Sequence, residues 1–382
     1  MADIDIAIIG GGISGFAAAC FLAEDLGDGS RIALIERESQ PGYHTTGRSA
    51  AMYTEVYGNA TIRAMVRAAR RFLERPEERY GGRSFLSPRG SLMIAGSDQT
   101  GRVAGFLSEM NRPDMLEEVS PDRCLELSPA LKRDYVAGGV YEPGAMDIDV
   151  HSLLQAYVRV FRGLGGQVIA DAEVLGLQRR DGVFVIETSA GAHRAGTVVN
   201  AGGAWGDEIG RMAGAEPVGL TPKRRTALTF DPPADLPPQS WPLTFDIDEE
   251  WYFKPDAGRI LASPADETPS PPCDAQPEEL DIAVCIDRIE TVTSLQVRRP
   301  ASTWAGLRCF VDDHSPVNGF DDRIEGFYWL VGQGGYGIKT ASTMARIATA
   351  KIAGKPVPDD VLEFGLDLDT LSVERLRKGD RT

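Results

Sequence analysis

The sequence predicts an α/β (α+β) chain, a discontinuous sheet-and-helix domain with a β-rich second domain inserted into it. Three observations predict this. A strand, a glycine turn, a helix and a second strand open the chain; strand, glycine turn and helix recur around residues 197–206 and 327–353; and short strands dominate the stretch between those two. The corresponding boundaries assign 1–83, 150–216 and 320–382 to the first domain, and 84–149 and 217–319 to the β-rich one.

The opening unit is the most informative. Ile4–Ile9 is an apolar run of strand type, and Phe16–Leu26 is a helix former that stops at Gly27. Arg31–Glu36 is a second strand ending in an acid. Gly10, Gly12 and Gly15 form G-x-G-x-x-G around Ile13 and Ser14, and Glu36 follows Gly15 by 21 residues. In that context the pattern is a Rossmann-like dinucleotide site. Gly10 permits the turn, Gly12 lets the backbone approach a pyrophosphate, and Gly15 lets helix and strand pack closely. The helix N-terminus offers unpaired N–H groups to the anion, and Glu36 can accept from a ribose hydroxyl.

Residues 37–51 are small, polar and glycine-punctuated, which predicts a loop leading into a helix near Ser49. A second anion site there would suit an extended cofactor such as FAD better than NAD. Helical periodicity covers 62–79, strand character 84–95, mainly helix 98–134, and strand 136–141, with a turn at 142–147. His151–Leu164 is an amphipathic helix ending at Gly165-Gly166, followed by short strands at 167–169, 172–180 and 183–188 with a turn at Asp181-Gly182. Thr197–Ala201 runs as a buried strand into Gly202-Gly203 and a helix. Strands follow at 224–230, 241–245, 250–254 and 259–262, then a proline-rich loop over 264–279, a helix over 280–294, and strands at 295–299 and 306–311. Phe327–Val331 meets Gly332-Gln333-Gly334-Gly335-Tyr336-Gly337-Ile338 and a helix over 339–353, a third glycine turn before a helix.

Composition bounds the rest. The chain has 382 residues, 42% of them hydrophobic and 25% charged, and a net charge of −16. These proportions are ordinary for a globular protein. The acidity, without any basic run, argues against nucleic acid and anionic membrane surfaces as partners. No stretch approaches the ~20 apolar residues of a membrane span, and the first apolar run is too short for a signal peptide. The five cysteines, Cys20, Cys124, Cys273, Cys285 and Cys309, are scattered, which reads as free thiols in a cytoplasmic protein. His44, His151, His193 and His314 lack metal-ligand spacing, so no metal site is expected.

Three groups of strings resemble the D-amino-acid oxidase-like family of FAD flavoenzymes: the opening motif with Glu36-Arg37, Val198-Val199-Asn200-Ala201-Gly202-Gly203-Ala204-Trp205, and Gly332–Ile338. The resemblance covers nearly the whole chain. Further strings are most similar to those of bacterial FAD-dependent D-arginine dehydrogenases: Gln40–His44, Thr46–Ala51, Pro222–Arg225, Tyr252–Gly258 and Trp304–Arg308. The resemblance implies noncovalent FAD contacted by Gly10, Gly12, Ile13, Ser14, Gly15, Glu36, Arg37, His44, Thr45, Gly47, Arg48, Ser49, Ala50, Ala51, Val174, Ala201, Gly202, Trp205, Arg308, Gly334, Gly335, Tyr336, Gly337 and Ile338. His44 is read as a noncovalent contact rather than a flavin tether, and Cys309 as a small core residue.

The same resemblance implies that Arg225 and Arg308 hold a substrate carboxylate with help from Tyr252, that Tyr57 is a lid, and that Thr54, Gly335 and Ile338 border the substrate. Guanidinium forks pair two-pronged with carboxylates, so two of them can fix a substrate's orientation. Arg224 is read as structural. The D-arginine enzymes carry a glutamate where Ser91 stands here and a histidine where Met52 stands, while Glu55 is an additional acid of unknown direction. With Leu243 and Phe245 as candidate apolar wall, the pocket is expected to prefer neutral or apolar substrates over strongly cationic ones.

The implied activity is that of a D-amino-acid dehydrogenase yielding an imino acid, then a 2-oxo acid and ammonia. A glycine- or sarcosine-type secondary-amine oxidase, a 2-hydroxy-acid dehydrogenase and a noncatalytic dinucleotide-binding regulator are the alternatives. The electron acceptor, a quinone or another carrier, is left open.

Overall fold

The computed structural model describes residues 2–377. Among them, an eight-stranded sheet carries the nucleotide-type motifs. Its parallel core places Gly191–Asn200 beside Ala2–Ile9, then Ile32–Ile35, then Gln167–Ile169, with Phe327–Val331 on the other side of Gly191–Asn200. The hairpin of Val174–Arg180 and Val183–Thr188 extends this sheet antiparallel, turning through Asp181 and Gly182 at positive φ of 50° and 82°.

Period-two alternation explains how the sheet is covered. Ile6 and Ile8 face a core formed with helices Ile13–Leu26, Val150–Gly163 and Gly337–Ile352, while Ala7 and Ile9 face a second core with Leu177, Phe184, Ile186 and Trp329. Strands buried on both faces read as the continuous apolar runs seen in the sequence. Ile9, Ile35, Asn200 and Val331 all lie at the carboxyl end of parallel strands. The turns that follow them therefore converge on one edge, where ligands bind in open α/β sheets.

The nine-stranded second sheet runs in the order Thr268–Pro269, Thr221–Phe230, Arg259–Ser263, Tyr252–Asp256, Leu243–Asp246, Ser91–Ala95, Gly138–Glu142, Glu117–Val119, with Ser302–Phe310 also paired to Thr221–Phe230. One face buries Leu92, Ile94, Leu228, Phe230, Phe253 and Ile260 against Cys285 and Ile289 of helix Glu279–Val292. The opposite face therefore carries Arg225 and Tyr252. A three-stranded sheet of Met52–Tyr53, Met146–Ile148 and Leu86–Pro88 completes the fold.

Several expectations are corrected. No helix starts near Ser49: a single 3-10 turn, Thr45–Arg48, is followed by strand Met52–Tyr53, and the helix begins at Ala60, where the Asn59 side chain accepts from the Ile62 N–H at 3.0 Å. Residues 84–95 form two strands broken at Arg89-Gly90, with Gly90 at φ +77°. The 98–134 stretch includes strand Glu117–Val119, which pairs with Gly138–Glu142. Residues 295–299 form no strand; Leu295 and Val297 are buried as apolar plugs beside the helix. The strand Val317–Phe320, absent from the sequence expectation, pairs with Phe327–Val331. Its buried Asn318 donates to the Met344 carbonyl and accepts from the Tyr328 hydroxyl, which explains its polar sequence.

The close approach at the first turn is visible atom by atom. Gly10 has φ +113°, and a Cβ on Gly15 would sit 1.9 Å from the Gly10 carbonyl oxygen. Gly15→Ala should cost ~1–3 kcal/mol as overpacking against backbone, measured as a lower midpoint of chemical denaturation. Wild-type stability in that variant would contradict the packing described.

Candidate functional site

One continuous cleft of about 1810 Å³, its open mouth included, follows the carboxyl edge of the first sheet and ends against the second. Gly10, Gly12, Ile13, Ser14, Ala201, Gly202, Gly334 and Gly337 line its middle. At the first turn the Gly11 N–H donates to the Glu36 carboxylate, which also accepts from the Glu38 N–H at 2.8 Å. Thr46 accepts from the Ile13 N–H at 3.0 Å, so the turn at Thr45–Arg48 stabilises the first helix's N-terminus. Gly15, Gly47 and Ala51 do not line the cleft. Gly47 shapes it from behind, donating to the Gly42 carbonyl at 2.7 Å, and Gly42 in turn donates to Gly11 at 2.9 Å.

At one end the Arg37 guanidinium lies 4.3 Å from the Trp205 ring centre, and the His44 ring lies 4.9 Å from it. His44 Nε2 is 2.8 Å from Glu38 and Val174 completes this wall. Thr45 donates to the Leu307 carbonyl at 2.8 Å. Arg48 donates to the carbonyls of Ala275 and Ala305 and pairs with Asp274, so its charge ties the loop to the second sheet. Ser49 and Ala50 continue the wall. Cys309 is buried, and burial pushes its thiol up to about 12, so it carries no thiolate for a covalent link.

Arg225, Tyr252, Arg308, Gly335 and Ile338 meet at the other end. Antiparallel register pairs Arg225 with Gly306 and Lys223 with Arg308, so Lys223, Arg225 and Arg308 project from one face of neighbouring strands. Burial and the Arg308 charge lower the Arg225 pKa. Burial opposes the Arg308 charge as well, but Tyr57, Tyr252 and Tyr336 hold its pKa above the ordinary value. Gly335 leaves space for this guanidinium, since a Cβ there would lie 2.8 Å from Arg308 Cζ. Arg224 points to the opposite face and pairs with Glu278 and Asp281.

Tyr57 donates to Glu249 at 2.9 Å and its ring lies 5.2 Å from Tyr336. Met52, Thr54, Tyr57, Ser91, Leu243, Phe245 and Tyr336 are not on the cleft wall itself. Ser91 pairs with Leu243 on one side and Glu142 on the other, and Phe245 packs against the core of Val56, Met93 and Val140. Glu55 is directed into an arginine cluster, 3.0 Å from Arg70 and 3.5 Å from Arg67, and accepts from the Tyr53 hydroxyl at 2.8 Å.

Glu142 and Lys339 escaped the sequence reading. Glu142 is buried and accepts from Thr54 Oγ1 at 2.6 Å, Ser91 Oγ at 3.2 Å and the Glu55 N–H at 3.2 Å. Burial raises its pKa against those hydrogen bonds. Lys339 is buried in helix Gly337–Ile352, donates to the Thr54 carbonyl at 3.3 Å, and lies 5.0 and 5.5 Å from the Tyr57 and Tyr336 ring centres. Glu142 stands before Pro143-Gly144 and resembles a solvent turn, while Lys339 sits in a helix where lysine ordinarily faces water. Only the hydroxyls of Thr54, just after strand Met52–Tyr53, and Ser91, at the start of an apolar strand, hint at a buried acid.

Comparisons with known proteins agree with this architecture. The sequence model described as "DAO: FAD dependent oxidoreductase" matches residues 5–351. The mitochondrial dimethylglycine dehydrogenase of Rattus norvegicus is 28% identical over 263 residues, 67% of this chain but 30% of that protein, so the match spans under a third of its length. Glycine oxidase of Geobacillus kaustophilus is 22% identical over 374 residues, covering 95% of this chain and 96% of its own. The crystal structure of L-proline dehydrogenase from P. horikoshii superposes with a TM-score of 0.80 at 20% identity, covering 99% of this chain and 98% of that one. Among the described residues no helix is long and apolar enough to cross a membrane, and no cluster of three His, Cys, Asp or Glu side chains could hold a metal.

Lys339 gives the site a pH dependence. Burial pushes its pKa down to about 7, with the Arg308 charge lowering it further and the Glu142 and Glu249 charges opposing. Lys339 is therefore neutral above about 7 and cationic below. Carboxylate ligands held near Arg308 should bind more tightly as pH falls through 7, by up to about tenfold or ~1.4 kcal/mol. Lys339→Met should flatten that step in a titration with acetate followed by flavin absorbance. An unchanged step in the variant would assign it elsewhere.

Proposed function

The chain belongs to the DAO family of FAD-dependent oxidoreductases, and on that premise we propose that it oxidises the Cα–N bond of an amino acid gripped by its carboxylate, in the first instance a D-amino acid. The observation that carries this reading is the placement of Arg225 and Arg308 on one face of paired strands, at the end of the cleft opposite Glu36 and Arg37.

FAD is the cofactor of this family, and the chain's residues fit it. Glycine turns at the sheet edge suit a pyrophosphate, Glu36 stands where a ribose hydroxyl would be met, and the Arg37–Trp205 wall offers a flat surface. We assign the binding as noncovalent, since Cys309 is a buried neutral thiol and His44 is engaged by Glu38. Acid precipitation should accordingly release the flavin into the supernatant. When bound, FAD supplies the acceptor for the hydride that leaves Cα.

The chain's own residues supply positioning. Two guanidiniums fix the carboxylate, Tyr252 beside them restricts its rotation, and Tyr57 with Tyr336 screens the pocket from water. The substrate amine must be uncharged when the hydride leaves, and the resulting imino acid hydrolyses in water to a 2-oxo acid and ammonia. The side-chain pocket favours neutral substrates on two grounds. Glu55 is spent on Arg67 and Arg70, and Glu142 is already satisfied by Thr54, Ser91 and the Glu55 N–H. Neither acid lines the cleft, so neither meets a guanidinium that would shed its water on entry.

A second reading, oxidation of glycine or an N-methylated glycine, is favoured by the end-to-end match with a glycine oxidase and by the match with a dimethylglycine dehydrogenase. Anaerobic reduction of the bound flavin by D-leucine, D-methionine, D-arginine, sarcosine and glycine separates the two. D-Leucine and D-methionine should be preferred; a dominant sarcosine rate would move the assignment to secondary amines. With the best substrate, Arg225→Ala or Arg308→Ala should each lose ~2–5 kcal/mol in kcat/KM while retaining FAD. Near-normal turnover by either variant would remove it from the carboxylate site.

A further inference from the structure

The strand register sets three cations, Lys223, Arg225 and Arg308, on one face; Arg225 and Arg308 line the end of the cleft, and Lys223 lies beyond its wall. A monocarboxylate substrate brings one negative charge to them. The chain brings another. The proline-rich loop after strand Arg259–Ser263 crosses the strand at Thr226, where the Asp266 carboxylate accepts from the Thr226 N–H at 2.6 Å and its hydroxyl at 3.0 Å. The Asp266 carbonyl then accepts from Arg225 Nε at 2.8 Å. So pinned, the loop sets the next carboxylate across two of the cations: Glu267 Oε1 accepts from Arg225 Nη2 at 3.1 Å and Oε2 from Lys223 Nζ at 2.8 Å.

This arrangement divides the Arg225 guanidinium. Its Nε and Nη2 edge faces the loop, which leaves the terminal edge with Nη1 for a ligand. Lys223, directly opposite Arg308 in the register, is the cation that a second ligand carboxylate would reach, and Glu267 already holds it. The Glu267 side chain is 42% exposed against 9% for Arg225, so it stands at the outer rim of the cation cluster. There it repels an incoming second anion while leaving the inner charges to the first.

We propose that Glu267 is a specificity-determining residue, an internal counter-anion on Lys223 and Arg225 that admits one substrate carboxylate and excludes a second. The proposal rests on the reading of Arg225 and Arg308 as the carboxylate clamp. It makes the chain selective for monocarboxylic amino acids over dicarboxylic ones of similar length. Removing the charge at 267 frees the Lys223 ammonium, and a dicarboxylate gains the charge-assisted contact that the protein's own carboxylate had taken.

The test uses the FAD-loaded protein and two ligand pairs. Binding of propionate and succinate is titrated by flavin absorbance, and anaerobic flavin reduction is compared for sarcosine and iminodiacetate. In Glu267→Gln the dicarboxylate-to-monocarboxylate ratio of affinities should rise by about tenfold, the scale of one charge-assisted contact. The reduction ratio should rise with it, chiefly through KM. Adding Lys223→Ala to Glu267→Gln should return both ratios towards wild type, and Glu267→Asp should stay closer to wild type than Glu267→Gln. FAD content and thermal midpoint establish that each variant is folded. An unchanged binding ratio in folded Glu267→Gln, or a raised ratio that survives Lys223→Ala, overturns the proposal. Arg308→Ala separates this failure from that of the clamp: if it leaves propionate affinity unchanged, the clamp reading falls and the proposal with it. If it weakens propionate binding while Glu267→Gln leaves the ratio unchanged, only the role of Glu267 falls.

Discussion

Two arginines held side by side at the end of an apolar-walled cleft are the constraint on which this site depends. Antiparallel pairing of Thr221–Phe230 with Ser302–Phe310 fixes Arg225 and Arg308 on the same face. Their mutual repulsion and partial desolvation are a standing cost, reflected in the lowered pKa of Arg225. The surroundings offset it with hydroxyls and a rim carboxylate rather than with a buried anion: Tyr57, Tyr252 and Tyr336 surround Arg308, and Glu267 meets Arg225 from outside. A site arranged this way retains positive potential for a small anionic ligand, although the whole chain carries a net charge of −16.

The two sheets divide the work. The parallel sheet converges four strand ends on one edge, so its turns and helix termini line a long cleft. The second, mostly antiparallel sheet closes that cleft with polar residues from its uncovered face, while its other face is committed to an apolar core with helix Glu279–Val292. The loops between them are fastened across the seam: Thr45 to Leu307, Arg48 to Ala275 and Ala305, and the Trp304 indole to the Arg48 carbonyl at 3.1 Å. These hydrogen bonds tie the turns that line the cleft to the strand that carries Arg308.

The parallel sheet was legible because its signals are local. Apolar runs, glycine turns and helix periodicity fall in sequence order, and the close contact of Gly15 with Gly10 has no alternative residue. The loop after Glu36 was misjudged because Thr45–Arg48 makes one helical turn and then yields to a strand pairing with Met146–Ile148, a partner almost a hundred positions away. Arg225 and Arg308 were reached through resemblance, since nothing local separates Arg225 from Arg224, which turns to the other face and joins Glu278 and Asp281. Lys339 and Glu267 were not legible at all, and Glu142 only through the hydroxyls of Thr54 and Ser91. Each takes its character from groups distant in sequence: Thr54 and Ser91 around Glu142, Tyr57 beside Lys339, and Arg225 with Lys223 against Glu267. Burial of a charge is a tertiary fact, and a lysine or glutamate in sequence defaults to the surface.

The central claim is that a carboxylate, held by Arg225 and Arg308, aligns the bond that is oxidised. Anaerobic flavin reduction by D-leucine and by isoamylamine, the same molecule without its carboxylate, measures that contribution most directly. The account predicts that the amine reduces the flavin at least about a hundredfold more slowly at saturating or limiting concentration, equivalent to ~2.7 kcal/mol. It also predicts that Arg308→Ala narrows the gap by slowing the amino acid alone. Comparable rates for amine and amino acid in the wild type would contradict it.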